Sequence, residues 1–337
     1  MKIDIHTHIM PDKMPNWTQK FGYGEFIHLE HRECDACMMK GDKVFRVVEK
    51  NCYDATERLK QMEEKEVTIQ VLSTIPVLFN YWANPQDGYE TSRFFNDHIA
   101  ETVSKESHHF IGLGTVPLQD ADLAIKEMER CIKELRMPGL EIGSNINGEN
   151  LSEQKFFPFY EAAEELGCSL FVHPWEMMGE TQMEKYWLPW LVGMPAETSR
   201  AVCSMIFGGI FEKFPKLRVA FAHGGGSFPF TLGRIEHGFK VRPDLTAVDN
   251  PVSPKEYIGR FWIDSLVHDR KVFQFLLDLI GENHICLGSD YPFPLGEHNP
   301  GRLIEKMDLG EKTTRKLLYR NALDWLGLSE KNLPDFG

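Results

Sequence analysis

The chain has 337 residues, 42% of them hydrophobic and 26% charged, a balance that predicts a globular protein with a large buried core. Its 37 lysines and arginines stand against 50 aspartates and glutamates, a formal net charge of −13, which disfavours nucleic acid or an anionic membrane as the main partner. No apolar run reaches the length of a membrane span. Seven scattered cysteines and a first strand that starts at Lys2 predict a cytoplasmic protein without a secretory signal.

The first predicted strand leads from Ile3 directly into His6-Thr7-His8. Alternate residues of a strand point to the same side, about 6–7 Å apart, so the imidazoles of His6 and His8 could share one metal ion. On a helix, side chains two residues apart diverge. Taken alone, the pattern fits two ordinary histidines on a half-buried strand equally well, and only the rest of the chain can decide between the two interpretations.

Residues 9–54 show little periodicity and form a long insertion after the first strand. They contain a group of possible zinc ligands, His28, His31, Cys34 and Cys37. The spacings leave no loop between two pairs of ligands, so we expect a solvated loop or hairpin here rather than a structural zinc site. Residues 43–48 alternate in polarity and predict a short strand that carries Arg46.

From Asp54, which is suited to cap a helix, predicted helices and strands alternate regularly. The later strands are predicted at 67–72, 110–116, 139–143, 169–172, 217–222, 260–264 and 284–287, and the helices at 55–65, 87–106, 120–136, 152–166, 196–213, 227–239, 268–280 and 311–326. Eight strands alternating with helices predict a single α/β domain, a (β/α)8 or TIM barrel, with insertions 9–54 and 174–195 over its catalytic face. A doubly wound open sheet is the alternative, but no glycine-rich phosphate loop follows the first strand.

Polar side chains recur in one place, directly after an apolar strand: His6 and His8 after the first, His173 after the fifth, His223 after the sixth and Asp290 after the eighth. Because the carboxyl ends of barrel strands meet at one mouth, we expect these side chains to form one site. Imidazole and carboxylate ligands suit a divalent metal, zinc first. Such an ion turns a bound water into a hydroxide nucleophile and needs one uncoordinated base beside it.

The order of these residues along the strands is similar to that of the amidohydrolase superfamily. Four longer motifs resemble the decarboxylases of that superfamily: 171–175 (FVHPW), 187–197 (WLPWLVGMPAE), 221–226 (FAHGGG) and 287–296 (LGSDYPFPLG). The likeness extends from Met1 to about Leu328. It implies oxygen-independent decarboxylation of 2-amino-3-carboxymuconate 6-semialdehyde to 2-aminomuconate 6-semialdehyde, a step of the kynurenine pathway of tryptophan catabolism.

The resemblance also implies roles for the residues at the strand ends. One zinc ion per chain would be bound by His6, His8, His173 and Asp290. His223 would be the free base that deprotonates the zinc-bound water to zinc hydroxide. Asp290 is assigned as a catalytic residue together with His223, in addition to its role as a metal ligand.

Four further residues are assigned to a small anionic dicarboxylate substrate by the same resemblance. Arg46 matches an arginine that grips a substrate carboxylate, and Arg234 matches one that the neighbouring subunit inserts into the site, which implies a homodimer. Lys40 and Trp190 would line the same pocket. Without the resemblance, both arginines would be interpreted as ordinary surface residues.

The chain departs from the family pattern at two acidic residues. Glu176 stands where the family usually has aspartate, and Glu141 stands where it usually has an amide. Glu141 could recruit a second metal, but we expect it in a peripheral ion pair. The residues alone predict hydrolysis as readily as decarboxylation, so three alternatives remain: a sister decarboxylase acting on an aromatic acid such as a resorcylate, a metal-dependent amide or lactone hydrolase, and a catalytically silent zinc-binding scaffold.

Overall fold

The structure, a computed structural model, describes residues 1–33 and 35–332. The strands of these ranges are β1 (Ile3–His8), β2 (Ile27–His31), β3 (Ala36–Lys40), β4 (Lys43–Val48), β5 (Ile69–Ser73), β6 (Phe110–Gly114), β7 (Gly139–Gly143), β8 (Asn145–Ile146), β9 (Glu149–Asn150), β10 (Ser169–His173), β11 (Arg218–Phe221), β12 (Trp262–Asp264) and β13 (Ile285–Cys286). The helices are α1 (Trp17–Phe21), α2 (Ala55–Glu64), α3 (Pro85–Lys105), α4 (Ala121–Lys133), α5 (Phe157–Leu166), α6 (Met194–Phe207), α7 (Ile210–Lys213), α8 (Phe228–Val241), α9 (Pro243–Thr246), α10 (Arg270–Ile280), α11 (Arg302–Glu305), α12 (Glu311–Arg315) and α13 (Asn321–Leu326).

The central sheet is a barrel of parallel strands. Its order in the described part of the chain is β1-β5-β6-β7-β10-β11-β12-β13, and helices connect successive strands. Hydrogen bonds from Ile5 N to Leu287 O (2.9 Å) and from His8 N to Tyr291 O (2.7 Å) join the end of the chain's last barrel strand to the first. The predicted (β/α)8 barrel is therefore confirmed, and the open sheet is wrong because the sheet has no free first edge.

The barrel strands are apolar because both of their faces are covered. Every residue of β7 and β10 is buried. Phe171 on β10 lies between two rings, with its centroid 5.9 Å from that of Trp325 on α13 and 4.9 Å from that of His6. The C-terminal helix thus closes an apolar core that supports the first of the histidines.

Helix boundaries follow from capping side chains and glycines. Asp54 Oδ1 accepts from Thr56 N at the start of α2, as its N-cap position predicted. The single helix expected over 196–213 is wrong, because α6 and α7 are separated at Gly208 and Gly209. Gly209 adopts a φ of 69°, and a Cβ on Gly208 would lie 2.4 Å from that of Ser152, so this close approach needs glycine and interrupts the helix.

The insertion after β1 folds as α1 and an antiparallel sheet, β2-β3-β4. Cys34, one of the four residues of the possible zinc group, lies outside the described residues. The other three do not converge: His28 and His31 are three apart on β2 and point to opposite faces, and Cys37 is fully buried on β3. The hairpin expected here is what β2 and β3 form. Within the described ranges, no helix has the length and apolar character that a membrane span needs.

Candidate metal centre

Four of the side chains predicted at strand ends converge at the mouth of the barrel. Ligand atoms of His6, His8, His173 and Asp290 lie within 4.8 Å of one another, and all four residues are buried. Nε2 of each of the three histidines is buried without a well-aligned hydrogen-bond partner among the described residues. Buried polar atoms are rarely left unpaired, so three such nitrogens facing one carboxylate fit a metal ion well.

The opposite ring nitrogens explain why Nε2 is the available ligand atom. Nδ1 of His6 lies 2.7 Å from Asp264 Oδ2, Nδ1 of His8 lies 2.8 Å from Thr74 O, and Nδ1 of His173 lies 3.0 Å from Pro174 O. Carboxylate and carbonyl oxygens only accept, so Nδ1 carries the proton and Nε2 keeps a free lone pair. This is the arrangement of histidines that bind metals through Nε2.

Burial and neighbouring charges set the protonation of the cluster. Burial lowers the pKa of His6, and it lowers the pKa of His173 well below its ordinary value. For Asp290 burial acts in the other direction, but hydrogen bonds and charge interactions with the surrounding imidazoles outweigh it and hold its pKa well below the usual range. At His8 burial also lowers the pKa, but the neighbouring carboxylates of Glu141 and Asp290 outweigh it and raise the pKa above its ordinary value. Three imidazoles beside one ionised carboxylate form a donor set that suits a divalent cation.

His223 lies beside this cluster rather than within it. Its Nε2 is 3.8 Å from Asp290 Oδ2, and its ring centroid is 5.1 Å from that of His6. The residue follows β11 with a φ of 56° and is half-buried. A Cβ on the following Gly226 would lie 2.4 Å from Pro195 O, so the turn that positions His223 requires glycine there. A largely covered imidazole that still reaches solvent and lies next to the cluster is placed to act as a general base.

A cavity opens over the cluster and is lined largely by aromatic side chains. It encloses about 460 Å³ of empty space, including the part open to solvent, and its lining includes His8, His173 and Asp290 together with Arg46, Trp175, Trp190 and Phe293. An aromatic-walled cavity with a few polar side chains at its base has the composition of a small-molecule site. Trp190 lies on the segment after β10, on a π-helical turn at Pro189–Gly193, so both insertions contribute walls to the cavity.

Arg46 brings a positive charge into this apolar cavity. Its guanidinium lies 4.6 Å from the ring centroid of Phe293 and 5.6 Å from that of Trp190. Burial lowers its pKa. Among the described residues no carboxylate forms an ion pair with it, whereas arginines such as Arg130 are paired. A half-buried guanidinium that no carboxylate of the described residues pairs with is suited to bind an anionic ligand.

Two of the residues assigned to the substrate lie outside the cavity of their own chain. Lys40 is exposed at the end of β3, and Arg234 is exposed on α8. Neither belongs to the lining of the cavity over the cluster within the described part of the chain. The site residues that the structure brings together are therefore His6, His8, His173, His223, Asp290, Arg46 and Trp190.

Glu141 is not peripheral, and the expected peripheral ion pair is wrong. The residue is fully buried on β7, with Oε1 3.6 Å from Nδ1 of His8. Burial raises its pKa to about 8. Because Glu141 faces the nitrogen of His8 that does not point into the cluster, it is not one of the converging ligand atoms.

Two buried residues with contacts to the cluster were missed by the sequence analysis. Asp264 ends β12 and bonds His6, and its position after an apolar strand was the same signal that revealed Asp290. Arg58 on α2 is fully buried and donates to the main-chain oxygen of His8 and to Gln70 Oε1 (2.9 Å), with its guanidinium 4.7 Å from the ring centroid of Tyr291. No sequence signal distinguishes a buried helical arginine from an exposed one.

Comparisons with known proteins agree with this geometry. A family model described as Amidohydrolase matches residues 3–328. The chain is 55% identical to a 2-amino-3-carboxymuconate-6-semialdehyde decarboxylase of Dictyostelium discoideum, over 97% of this chain and 92% of the relative. It is 38% identical to one of Caenorhabditis elegans, over 98% of this chain and 96% of the relative.

Solved structures share the fold. The 5-carboxyvanillate decarboxylase of Sphingomonas paucimobilis superposes with a TM-score of 0.83 at 24% identity, over 97% of this chain and 99% of the other. A dihydroxybenzoic acid decarboxylase of Polaromonas, with bound manganese and the inhibitor 2-nitroresorcinol, gives a TM-score of 0.77 at 20% identity, over 98% of each chain. The matches agree with the sequence motifs, the barrel and the converging strand ends. The chain therefore belongs to the amidohydrolase family, in the group that contains the 2-amino-3-carboxymuconate-6-semialdehyde decarboxylases.

Proposed function

We propose that this protein is a zinc-dependent carboxy-lyase that converts 2-amino-3-carboxymuconate 6-semialdehyde to 2-aminomuconate 6-semialdehyde and CO₂. The observation that carries the proposal is the 55% identity to the Dictyostelium decarboxylase over 97% of the chain. The geometry of the site supports it, because a cluster suited to a divalent metal shares one cavity with an unpaired arginine. Such a cavity suits a small anionic substrate.

His6, His8, His173 and Asp290 would hold the zinc ion, since their free nitrogens and the ionised carboxylate already converge. Zinc bound there would bring the pKa of a coordinated water towards neutrality. Manganese occupies the Polaromonas neighbour, so zinc is the part of this proposal that rests on the donor set. Three imidazoles and one carboxylate are ordinary zinc ligands.

His223 would act as the base, accepting a proton at Nε2, the nitrogen 3.8 Å from Asp290. The oxygen of the deprotonated water would add to C2 of the substrate's C2=C3 double bond. His223 would then return its proton to C3. Loss of the C3 carboxylate as CO₂ would restore the double bond and expel the added hydroxyl. This series of reaction steps would need no oxygen and no organic cofactor.

Arg46 would hold one substrate carboxylate. Its guanidinium is oriented by Phe293 and Trp190 and has no ion-pair partner in the described residues, so substrate binding would not have to break an existing salt bridge. A guanidinium can bind a carboxylate through two parallel hydrogen bonds, which fixes its orientation as well as its position.

Arg234 would reach the second carboxylate from a neighbouring subunit, which requires a homodimer. The helix that carries it, α8, also exposes apolar side chains: Phe230, one turn earlier, is 86% exposed, and Val241 is exposed at the end of the helix. Leu191 and Val192, beside the cavity wall, are also exposed. An exposed aromatic ring one turn from Arg234 is suited to the subunit contact that donation of Arg234 requires. We also propose a cytoplasmic location, because the six cysteines of the described residues are free thiols.

A spectrophotometric assay of metal-stripped and zinc-reloaded protein tests the proposal. We expect loss of the coloured semialdehyde with one CO₂ released per substrate, no oxygen consumption, and activity that disappears on stripping and returns with zinc. Substrate loss without CO₂ release, or full turnover by the stripped protein, would contradict the proposal.

A further inference from the structure

Asp264 connects two parts of the site. It ends β12 and is fully buried. Its Oδ2 accepts hydrogen bonds from Nδ1 of His6 (2.7 Å) and from the main-chain N of His223 (2.9 Å). Its Oδ1 accepts from the main-chain N of Gly224 (2.7 Å) and of Leu266 (3.1 Å). One carboxylate therefore bonds both a candidate metal ligand and the backbone of the candidate base.

We propose that Asp264 is a positioning residue that fixes the geometry of the metal ligand His6 relative to the base His223, an inference that rests on the proposed function. Asp264 does not line the cavity over the cluster in the described part of the chain, so its effect on the reaction passes through these two histidines.

The bond to His6 fixes that imidazole in two ways. A carboxylate oxygen at 2.7 Å holds the proton on Nδ1, which leaves the Nε2 lone pair directed at the cluster. A carboxylate partner also makes an imidazole a more basic metal ligand than a carbonyl partner does. His8 and His173 have only carbonyl partners at Nδ1, Thr74 O and Pro174 O respectively. His6 is thus the only one of the three candidate histidine ligands, all within the described residues, whose Nδ1 bonds a carboxylate at hydrogen-bond distance.

The bonds to the main chain hold a backbone conformation that histidine rarely adopts. His223 has a φ of 56°, and the next residue, Gly224, has a φ of 62°. Left-handed conformations are uncommon outside glycine, and successive amides in such a turn point to one side and favour an anion. The carboxylate of Asp264 accepts hydrogen bonds from the main-chain amides of both His223 and Gly224. With the backbone in this conformation, Nε2 of His223 lies 3.8 Å from Oδ2 of Asp290.

Packing against Gly288 brings Asp264 and His6 close together. A Cβ on Gly288, which follows β13, would lie 2.7 Å from Cβ of Asp264 and 3.0 Å from Cβ of His6. Glycine at 288 is what lets Asp264 and His6 approach each other across β1, β12 and β13. The carboxylate is held by four hydrogen bonds and by this contact, so it can transmit its position to both histidines.

Asp264→Asn tests the proposal. The amide keeps the volume and one acceptor oxygen, but its NH₂ only donates, so it cannot replace the carboxylate oxygen that accepts from His6 Nδ1 and His223 N or the one that accepts from Gly224 N and Leu266 N. We expect zinc affinity, measured on the full-length protein by competition with a chromogenic chelator, to fall about 10–100-fold. We also expect a changed visible spectrum of the cobalt(II)-loaded protein, and a larger fall in kcat than rise in KM.

Glu127→Gln is the matched control, because Glu127 is a fully buried carboxylate on α4 that bonds Arg130 and Asn96 far from the cluster. It should lower stability without changing zinc affinity or the cobalt spectrum. If Asp264→Asn does not fold, Asp264→Ala with added formate tests the same point, since formate in the vacated space should restore zinc affinity.

Zinc affinity and a cobalt spectrum unchanged in Asp264→Asn, or no effect of formate on Asp264→Ala, would overturn the proposal. These readouts need no substrate. They can therefore fail while decarboxylation stands, and a failure of the decarboxylation assay would leave them unaffected.

Discussion

Oδ2 of Asp290 lies 3.8 Å from Nε2 of His223. The other oxygen of the same carboxylate, Oδ1, lies 3.2 Å from Nε2 of His8 and 3.5 Å from Nε2 of His6. Asp290 thus divides its oxygens between the converging imidazoles and the one imidazole outside the set. This division is the structural reason for assigning different roles to His223 and to the other three histidines.

Removing the base should separate catalysis from metal binding. In His223→Ala the four candidate ligands keep their contacts, so we expect about one zinc per chain and a fall in kcat of about 10²–10⁴-fold. Metal content by elemental analysis and steady-state kinetics check the two parts.

His173→Ala is the matched comparison, since it removes one buried Nε2 from the cluster and should lose the zinc itself. A metal-free His223→Ala protein would show that His223 is a ligand and that the assigned roles are wrong.

Removing the unpaired guanidinium should weaken substrate binding without affecting the metal. Arg46→Ala loses a charge-assisted hydrogen bond of about 1.5–3 kcal/mol, so kcat/KM should fall roughly 10–100-fold, mainly through KM. Arg46→Lys keeps the charge but not the paired hydrogen bonds, and we expect an intermediate value. Zinc content should equal that of the wild type in both variants, and an unchanged KM in Arg46→Ala would remove Arg46 from the substrate site.

A shared active site should be visible in hybrid dimers. Arg234→Ala and Asp290→Ala are each expected to be nearly inactive, but a mixed dimer has one intact site, formed by the metal cluster of one chain and the arginine of the other. Random pairing of equal amounts should restore about a quarter of wild-type activity. The activity of the refolded mixture is the measurement, and a mixture no more active than its components would argue against donation of Arg234.

His98 should make stability depend on pH away from the metal cluster. Burial on α3 lowers its pKa from 6.5 to about 4, and its Nε2 has no hydrogen-bond partner among the residues that the structure describes. The unfolded chain binds the proton first, so this contribution is present above about pH 6.5 and is lost as the pH falls towards 4.

Chemical unfolding of His98→Asn and wild type between pH 4.5 and 7.5 measures this effect. The wild type should lose about 2 kcal/mol more than the variant across this range, less than the full shift implies because the side chain is partly exposed. Exposed His108 supplies the control, His108→Asn, whose pH dependence should match the wild type. Parallel curves for wild type and His98→Asn would contradict the prediction.

The site residues that can be predicted from the sequence are those whose position follows from topology alone. Strand ends of a barrel meet at one mouth, so His173 and Asp290 could be joined to His6 without knowing any contact. Asp264 also lies at a strand end, but its importance depends on its hydrogen bonds to His6 and to the main chain of His223, which the sequence does not reveal. Arg58 and the stacking of Arg46 on Phe293 depend on packing between segments far apart in sequence, which no local pattern encodes.

At Glu141 the prediction failed because the burial of the residue could not be predicted from the sequence. Its charge suggested a peripheral ion pair, but its position on β7 buries it against His8. A strand buried on both faces forces even a carboxylate inward, and burial then raises its pKa to about 8. Local chemistry predicted the residue's charge, whereas the barrel determined its environment.

The most direct test of the account compares substrates on one zinc-loaded preparation. We predict that kcat/KM for 2-amino-3-carboxymuconate 6-semialdehyde exceeds that for 2,6-dihydroxybenzoate, and for a simple lactone, by at least about 10³-fold, because only the first offers an electron-poor double bond and two carboxylates for the arginines. A higher kcat/KM for the aromatic acid or for the lactone would contradict the account and assign the site to a different reaction.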